Sequence, residues 1–294
     1  MGADASGIVP LNDRRVGRLG MSALVALDLR DRAAVVTGGG HGIGRAFAEA
    51  LAARGARVVV ADVHTERAAR VAERIGGMAV DCDVASPESI GALVAQAVST
   101  YGPVAVAVSN AGIGDAGPDL ASTADQVRRI VDVNLLAHVW MAQTVVPSMV
   151  DNGGGALIQT ISSAGLITGP SGMGYTMTKH GALGFAEWIS LNYAHLGIRV
   201  VALCPNAVNT GMMGRNEDDG TTTLPSDAEF RAALGQIVEP ETCAEMSLAA
   251  MDAGTFLVLP HERVLTSFRR KADDYDGWLA YTNGRLRRMR GEDV

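Results

Sequence analysis

Cysteine, aromatic side chains and positive charge are all scarce in this chain. Its 294 residues include 3 cysteines and 4% aromatics, and 25 Lys+Arg stand against 32 Asp+Glu for a formal net charge of −7. Cys82, Cys204 and Cys243 lie far apart and are odd in number. They offer neither a disulfide framework nor the ligand spacing of a metal site, and reduced, packed thiols of a cytoplasmic protein are expected. The acidic balance argues against a nucleic-acid surface and against an anionic membrane as partner. No run of about twenty uninterrupted apolar residues occurs. The longest candidate, residues 130–150, is broken by Asp132, Asn134, His138 and Gln143, which marks a core helix. The opening residues lack the apolar core and small-residue cleavage site of a signal peptide. Residues 1–26 are therefore expected to be a poorly ordered leader, with Met21 as an alternative start.

Glycine, with 35 residues, and apolar side chains, at 48%, are what the chain has in quantity. That composition suits many tight strand-to-helix turns. Residues 33–36 form a short apolar run, followed by Thr37-Gly38-Gly39-Gly40-His41-Gly42-Ile43-Gly44 and a helix-period stretch carrying Ala46, Phe47, Ala50 and Leu51. In such a strand–turn–helix, glycines let the backbone bend sharply and let a pyrophosphate approach the amides at the helix start, where the dipole favours negative charge. Gly55 closes the helix, and a second strand over 57–61 leads to Asp62. A carboxylate at that strand tip, roughly twenty residues after the turn, accepts the hydroxyls of an adenosine ribose and repels a 2′-phosphate, which favours NAD over NADP. Further strands are predicted over 78–84, 104–109, 156–161, 199–204 and 256–259, with helix-like stretches between them. Alternation of this kind implies an α/β, Rossmann-type, doubly wound parallel sheet of seven strands in three layers, with ligand at the strands' carboxyl ends.

A second pattern carries chemistry. Tyr175 and Lys179 are four residues apart at the start of an apolar helical run through Leu183, Phe185, Trp188, Ile189 and Leu191. Positions so spaced lie on one helix face, and a neighbouring ammonium should pull the phenol down from about 10 towards working pH, making Tyr175 a general acid/base.

Taken together these motifs resemble the short-chain dehydrogenase/reductase family over roughly residues 27–260. The spacing Thr37-Gly38-x-x-x-Gly42-x-Gly44 is similar to that family's nucleotide turn, with His41 and Ile43 inside it. Asp83-Val84 resembles its adenine-contacting pair, Ser109-Asn110-Ala111-Gly112 its Asn-Asn-Ala-Gly segment, and Asn134 its helix asparagine. A gapless match of residues 157–166 selects Ser162 rather than Ser163 as the family's serine, which holds the substrate oxygen. The resemblance also implies that Lys179 hydrogen-bonds the nicotinamide ribose, that Asn134 holds a relay water, and that Pro205, Val208 and Thr210 meet the nicotinamide side. One departure stands out: the family's Pro-Gly is Pro205-Asn206 here, and asparagine is the side chain that best tolerates a left-handed turn.

The implied activity is hydride transfer between NAD(H) and a secondary alcohol or ketone, without a metal, in a homo-oligomer for which a tetramer is expected before a dimer. A non-catalytic NAD sensor on the same fold is the alternative. NAD-retaining epimerases show a different glycine spacing and a larger carboxy-terminal domain. Residues 212–230 fall where the family places its substrate lid, and Leu166, Ile167, Met173, Met212 and Met213 are expected to give the substrate side an apolar lining. In the tail, 261–294, Trp278, Leu279, Tyr281, Leu286 and Met289 would share one side of an amphipathic helix docking on its own subunit or a neighbour, weakened in its middle by Gly284, among Arg285, Arg287, Arg288 and Arg290 at a solvated end.

Overall fold

The structure is a computed structural model that describes residues 26–114, 120–214 and 235–292. Seven parallel strands, β1 (Ala33–Thr37), β2 (Arg57–Asp62), β3 (Met78–Asp81), β4 (Val104–Ser109), β5 (Gly155–Thr160), β6 (Ile198–Leu203) and β7 (Leu257–Val258), pair in the order β3-β2-β1-β4-β5-β6-β7. The doubly wound parallel sheet expected from the alternation of apolar runs is therefore present. β3 and β7 are shorter than their apolar runs. Both are edge strands, and each pairs only over the residues that meet their single neighbour.

Because successive strand side chains point to opposite faces, each central strand feeds two cores. Val35, Val59, Ala61, Ala107, Leu157 and Ala202 pack on one face with helices α3 (Pro87–Tyr101), α5 (Ala137–Asp151) and α6 (Met173–Tyr193). Val36, Val58, Val60, Val108, Ile158 and Leu203 pack on the other with α1 (Gly42–Ala53), α2 (Thr65–Ile75) and α7 (Pro240–Ala253). Each such valine, leucine or isoleucine side chain, wholly buried, contributes about 1.5–3 kcal/mol. Two further helices, α8 (Glu262–Asp273) and α9 (Tyr275–Met289), follow β7.

The helix expected over 130–150 begins earlier. α4 (Ala124–Val131), started by a Thr123/Gln126 capping box, runs into one π-helical turn, Asp132–Leu136, and on into α5. The continuous segment Ala124–Asp151 is long and apolar enough to cross a membrane by length and composition alone. Its residues Val133, Met141, Val145 and Met149 are core residues beneath the sheet, which is the reason for its apolarity.

One turn beyond the π-helix lies His138, 1% exposed, with no hydrogen-bond partner for either ring nitrogen among the described residues. Burial, and then the nearby Lys179 charge, push it from 6.5 to about 3. The folded chain thus keeps a neutral imidazole where the unfolded chain takes up a proton. Stability is fully present above pH 6.5 and is lost as pH falls towards 3. From pH 7 to 5 this histidine should remove about 2 kcal/mol. Urea titrations at both values should show the His138→Leu variant spared that loss; equal pH slopes in the two proteins would contradict it.

Candidate functional site

The strand order reverses between β1 and β4, so the chain leaves these neighbouring strands in opposite directions and opens a crevice at their carboxyl ends. Thr37 and Asn110 build its floor. The Thr37 hydroxyl donates to the Val108 carbonyl at 3.3 Å and accepts from the amides of Asn110 at 3.0 Å and Ala111 at 3.2 Å. The Asn110 side chain donates to the carbonyls of Thr37 and Gly38 at 3.1 and 3.3 Å, and accepts from the Thr160 hydroxyl at 3.0 Å. Gly38, at φ 62, lies so close that a Cβ there would stand 2.9 Å from the Ala111 Cα. A Cβ at Gly44 would fall on the Gly38 carbonyl, so this glycine serves the packing of turn against helix and does not itself line the cleft.

The cleft encloses about 800 Å³. Of the residues that the resemblance assigns to the cofactor, Gly38, His41, Gly42, Ile43, Asp62, Asp83, Val84, Asn110, Ala111 and Gly112 line it, with Gly112 beside the Lys179 ammonium. α1 starts here with no side-chain cap and no acid in its first turn, an arrangement that suits an anionic pyrophosphate. Asp62, 6% exposed, accepts the Gly40 amide on Oδ2 and the His64 amide on Oδ1, each at 3.0 Å. A carboxylate has about four acceptor positions, so each oxygen keeps one for a ribose hydroxyl. These residues therefore fit a dinucleotide. Asp83 accepts from Arg129 at 3.0 Å; burial raises its carboxyl, but that guanidinium and the Ala85 amide outweigh it and hold the group below the ordinary value. Arg129 also lines the cleft, and nothing in its helical sequence context marks it as a site residue.

Ser162, Tyr175 and Lys179 line the same cleft. Ser162 shares a side-chain hydrogen bond with the Tyr175 phenol, whereas the Ser163 hydroxyl donates to Asn206 Oδ1 at 3.3 Å. Of the two serines only Ser162 meets the phenol. Lys179, 3% exposed, donates to the Thr160 carbonyl at 3.0 Å, with Nζ 5.5 Å from the Tyr175 ring centroid. The expected depression of the phenol by this ammonium is not what the structure shows. The hydroxyl end of Tyr175 is deeply enclosed although part of its ring stays accessible, and burial pushes the phenol up, with only the Ser162 hydrogen bond opposing. The same burial pushes Lys179 from 10.5 to about 8. A low-dielectric setting disfavours either charge alone, and phenolate and ammonium become favourable together.

Asn134, wholly buried in the π turn, lies behind the cleft wall. Its Nδ2 donates to the Ile113 carbonyl and its Oδ1 accepts the Ile113 amide, both at 2.8 Å. Both side-chain polar atoms thus brace the 110–114 segment beside Lys179, and each keeps hydrogen-bonding capacity to spare.

The loop after β6 brings Pro205, Val208 and Thr210 to the cleft. Asn206 does not use a left-handed backbone; Asp31 is the one non-glycine with positive φ among the described residues. Instead its amide donates to His261 Nδ1 at 3.2 Å, while His261 Nε2 donates to the Ala207 carbonyl at 3.1 Å. Burial holds His261 below the usual histidine range, in keeping with Nδ1 as an acceptor. His261 therefore clamps this loop to the start of α8. No local pattern marks it, because its partners lie 54 and 55 positions away.

Of the residues expected to give the substrate side its apolar lining, Ile167, Met212 and Met213 line the cleft. Leu166 belongs to the core, packed beneath the sheet, and Met173 opens α6 on the surface, so neither lines the cleft. The lid expected over 212–230 lies outside the described residues from 215 onward. α9 runs unbroken through Gly284 and brings Trp278, Tyr281, Leu286 and Met289 to the cleft. Leu279, placed with them by helical spacing, is instead 47% exposed. The three cysteines are buried and free, and burial drives the Cys204 and Cys243 thiols up to about 12.

Known proteins resemble this chain over most of its length. The family model for short chain dehydrogenases matches residues 32–220. A 2,5-dichloro-2,5-cyclohexadiene-1,4-diol dehydrogenase of Sphingobium indicum is 34% identical over 78% of this chain and 94% of its own length. Cyclohexanol dehydrogenase of an Acinetobacter species is 34% identical over 77% and 90%. A short chain dehydrogenase/reductase from Burkholderia phymatum, solved in complex with NAD, superposes with a TM-score of 0.74 at 26% identity, over 85% of this chain and 96% of that one. Glycine turn, switch-point crevice and serine–tyrosine–lysine cluster thus occur on one sheet in one order, and the chain belongs to the short-chain dehydrogenase/reductase family, oxidoreductases acting on alcohols.

Proposed function

We propose that this protein interconverts an apolar secondary alcohol and its ketone with NAD(H), with Tyr175 as proton carrier. The observation that carries the reading is the hydrogen bond between Ser162 and the Tyr175 phenol in the cleft, with Lys179 one helical turn behind. NAD, when bound, accepts or returns the hydride at the reacting carbon. The chain's own residues position oxygen and move a proton. A substrate hydroxyl held between Ser162 and Tyr175 gives its proton to the phenolate, and Ser162 donates to the same oxygen to fix its place. Lys179 makes that phenolate accessible by carrying the compensating charge in the buried site. Asn134 keeps the 110–114 wall in register beside it.

NAD is favoured over NADP by Asp62, whose two oxygens each hold one backbone amide and keep acceptor capacity towards the cleft. An apolar substrate is supported by Ile167, Met212, Met213 and the α9 side chains, and by relatives named for alicyclic alcohols. Association into a homo-oligomer is supported by Met177, Trp188 and Leu191, all exposed on α6; the preference for a tetramer before a dimer rests on the family resemblance.

Purified protein with NAD and a panel of secondary alcohols should accumulate reduced nicotinamide, read by absorbance; NAD binding without turnover would favour the sensor alternative. Tyr175→Phe should lower kcat/KM by about 10²–10⁴ while NAD affinity in a fluorescence titration stays within about threefold. Substantial residual turnover would assign the proton to another group. Asp62→Ala should weaken NAD by about tenfold and narrow the preference over NADP. An unchanged ratio of kcat/KM for the two cofactors would remove Asp62 from cofactor selection.

A further inference from the structure

The apolar stripe of α9 is only partly spent on the core: Trp278 is 5% exposed, and Tyr281 is 50% exposed. Trp278, Tyr281, Leu286 and Met289 recur at helical spacing, and this face lines the same cleft as Tyr175. What holds it there is a buried lysine. Lys271, near the end of α8, is 8% exposed and donates to the Leu166 carbonyl at 2.9 Å. Its ammonium lies 5.4 Å from the Tyr275 ring centroid and 5.3 Å from that of Trp278. Burying an ammonium is costly unless its donors and charge are met, and here one carbonyl and two aromatic faces meet them. Leu166 itself follows the short Ser163–Gly165 turn next to Ser162, and its amide donates to the Ser163 carbonyl at 3.0 Å. The pin therefore ties the tail to the segment that carries the substrate-facing serine. A second contact, the Arg270 guanidinium 4.2 Å from the Tyr281 ring centroid, joins α8 to α9, and the Asp274 side chain caps α9 through the Gly277 amide at 2.9 Å.

We propose that α9 is the substrate-selecting wall of the cleft, supplied by the chain's own tail and held in place by Lys271, and that Trp278 receives the ring of an alicyclic alcohol. The proposal rests on the dehydrogenase reading above. Lys271 is a positioning residue, acting through Trp278, and touches neither the reacting oxygen nor Tyr175. A flat indole packs well against a ring and gains little from a three-carbon alcohol, so the wall discriminates by binding rather than by proton transfer.

The test uses the full chain and two probes, cyclohexanol and 2-propanol. In Lys271→Met, which keeps the stem but loses donor and charge, the ratio of kcat/KM for cyclohexanol over 2-propanol should fall at least fivefold, mainly through the cyclohexanol KM, and Lys271→Arg should restore most of it. Trp278→Ala should lower the same ratio. An unchanged ratio in both variants, or equal losses on both alcohols, overturns the proposal. A readout independent of turnover, and of whether Lys271→Met folds, is tryptophan emission during cyclohexanone titration in the presence of NAD. The unsubstituted protein should show a saturable change that Trp278→Phe abolishes; a change that survives in Trp278→Phe overturns the proposal. Should no alcohol be turned over while the Trp278-dependent change is present, the dehydrogenase reading falls and the wall stands. Turnover with no such change sinks the wall alone.

Discussion

The hydrogen-bonded joint between Thr37 and Asn110 is the constraint on which the site depends. It sits where the strand order reverses, so it fastens the glycine turn of one half of the sheet to the first loop of the other. From Asn110 the connection continues to the Thr160 hydroxyl, and from the Thr160 carbonyl to Lys179. Four side chains from β1, β4, β5 and α6 thus place the nucleotide turn and the reactive helix relative to one another. A crevice at a switch point is a consequence of topology alone. Its having a fixed width is a consequence of this chain of bonds.

Burial sets the electrostatics of that crevice more than any single charge does. It drives Lys179 down to about 8 and raises the Tyr175 phenol, so each resists becoming charged without the other. It drives Cys204, beside them, up to about 12, which keeps a competing nucleophile protonated. It also keeps His261 neutral, so that one ring can accept from Asn206 and donate to Ala207 at once. At the Pro-Asn position of this loop the Asn206 side chain accepts from the Ser163 hydroxyl, a bond that a glycine would lack, while the backbone amide that donates to His261 is one any non-proline residue offers.

The tail completes the enclosure. Along the cleft α8 and α9 are held together, and to the Leu166 segment, by a buried cation, two aromatic faces and a single backbone carbonyl.

The sequence by itself determined the parallel sheet, the glycine turn, Asp62 at a strand tip, and the pairing of Tyr175 with Lys179, because each follows from periodicity or spacing within one or two elements. Ser162 was preferred to Ser163 only through the resemblance to the family pattern, since adjacent serines are not told apart by spacing alone. Only the tertiary structure decided that burial, rather than the lysine, governs the phenol, that Asn134 braces Ile113, that Arg129 and His261 join the site, and that Trp278 faces the cleft while Leu279 does not. These facts depend on contacts between residues far apart in the chain and on how completely water is excluded, and neither quantity is written in local spacing.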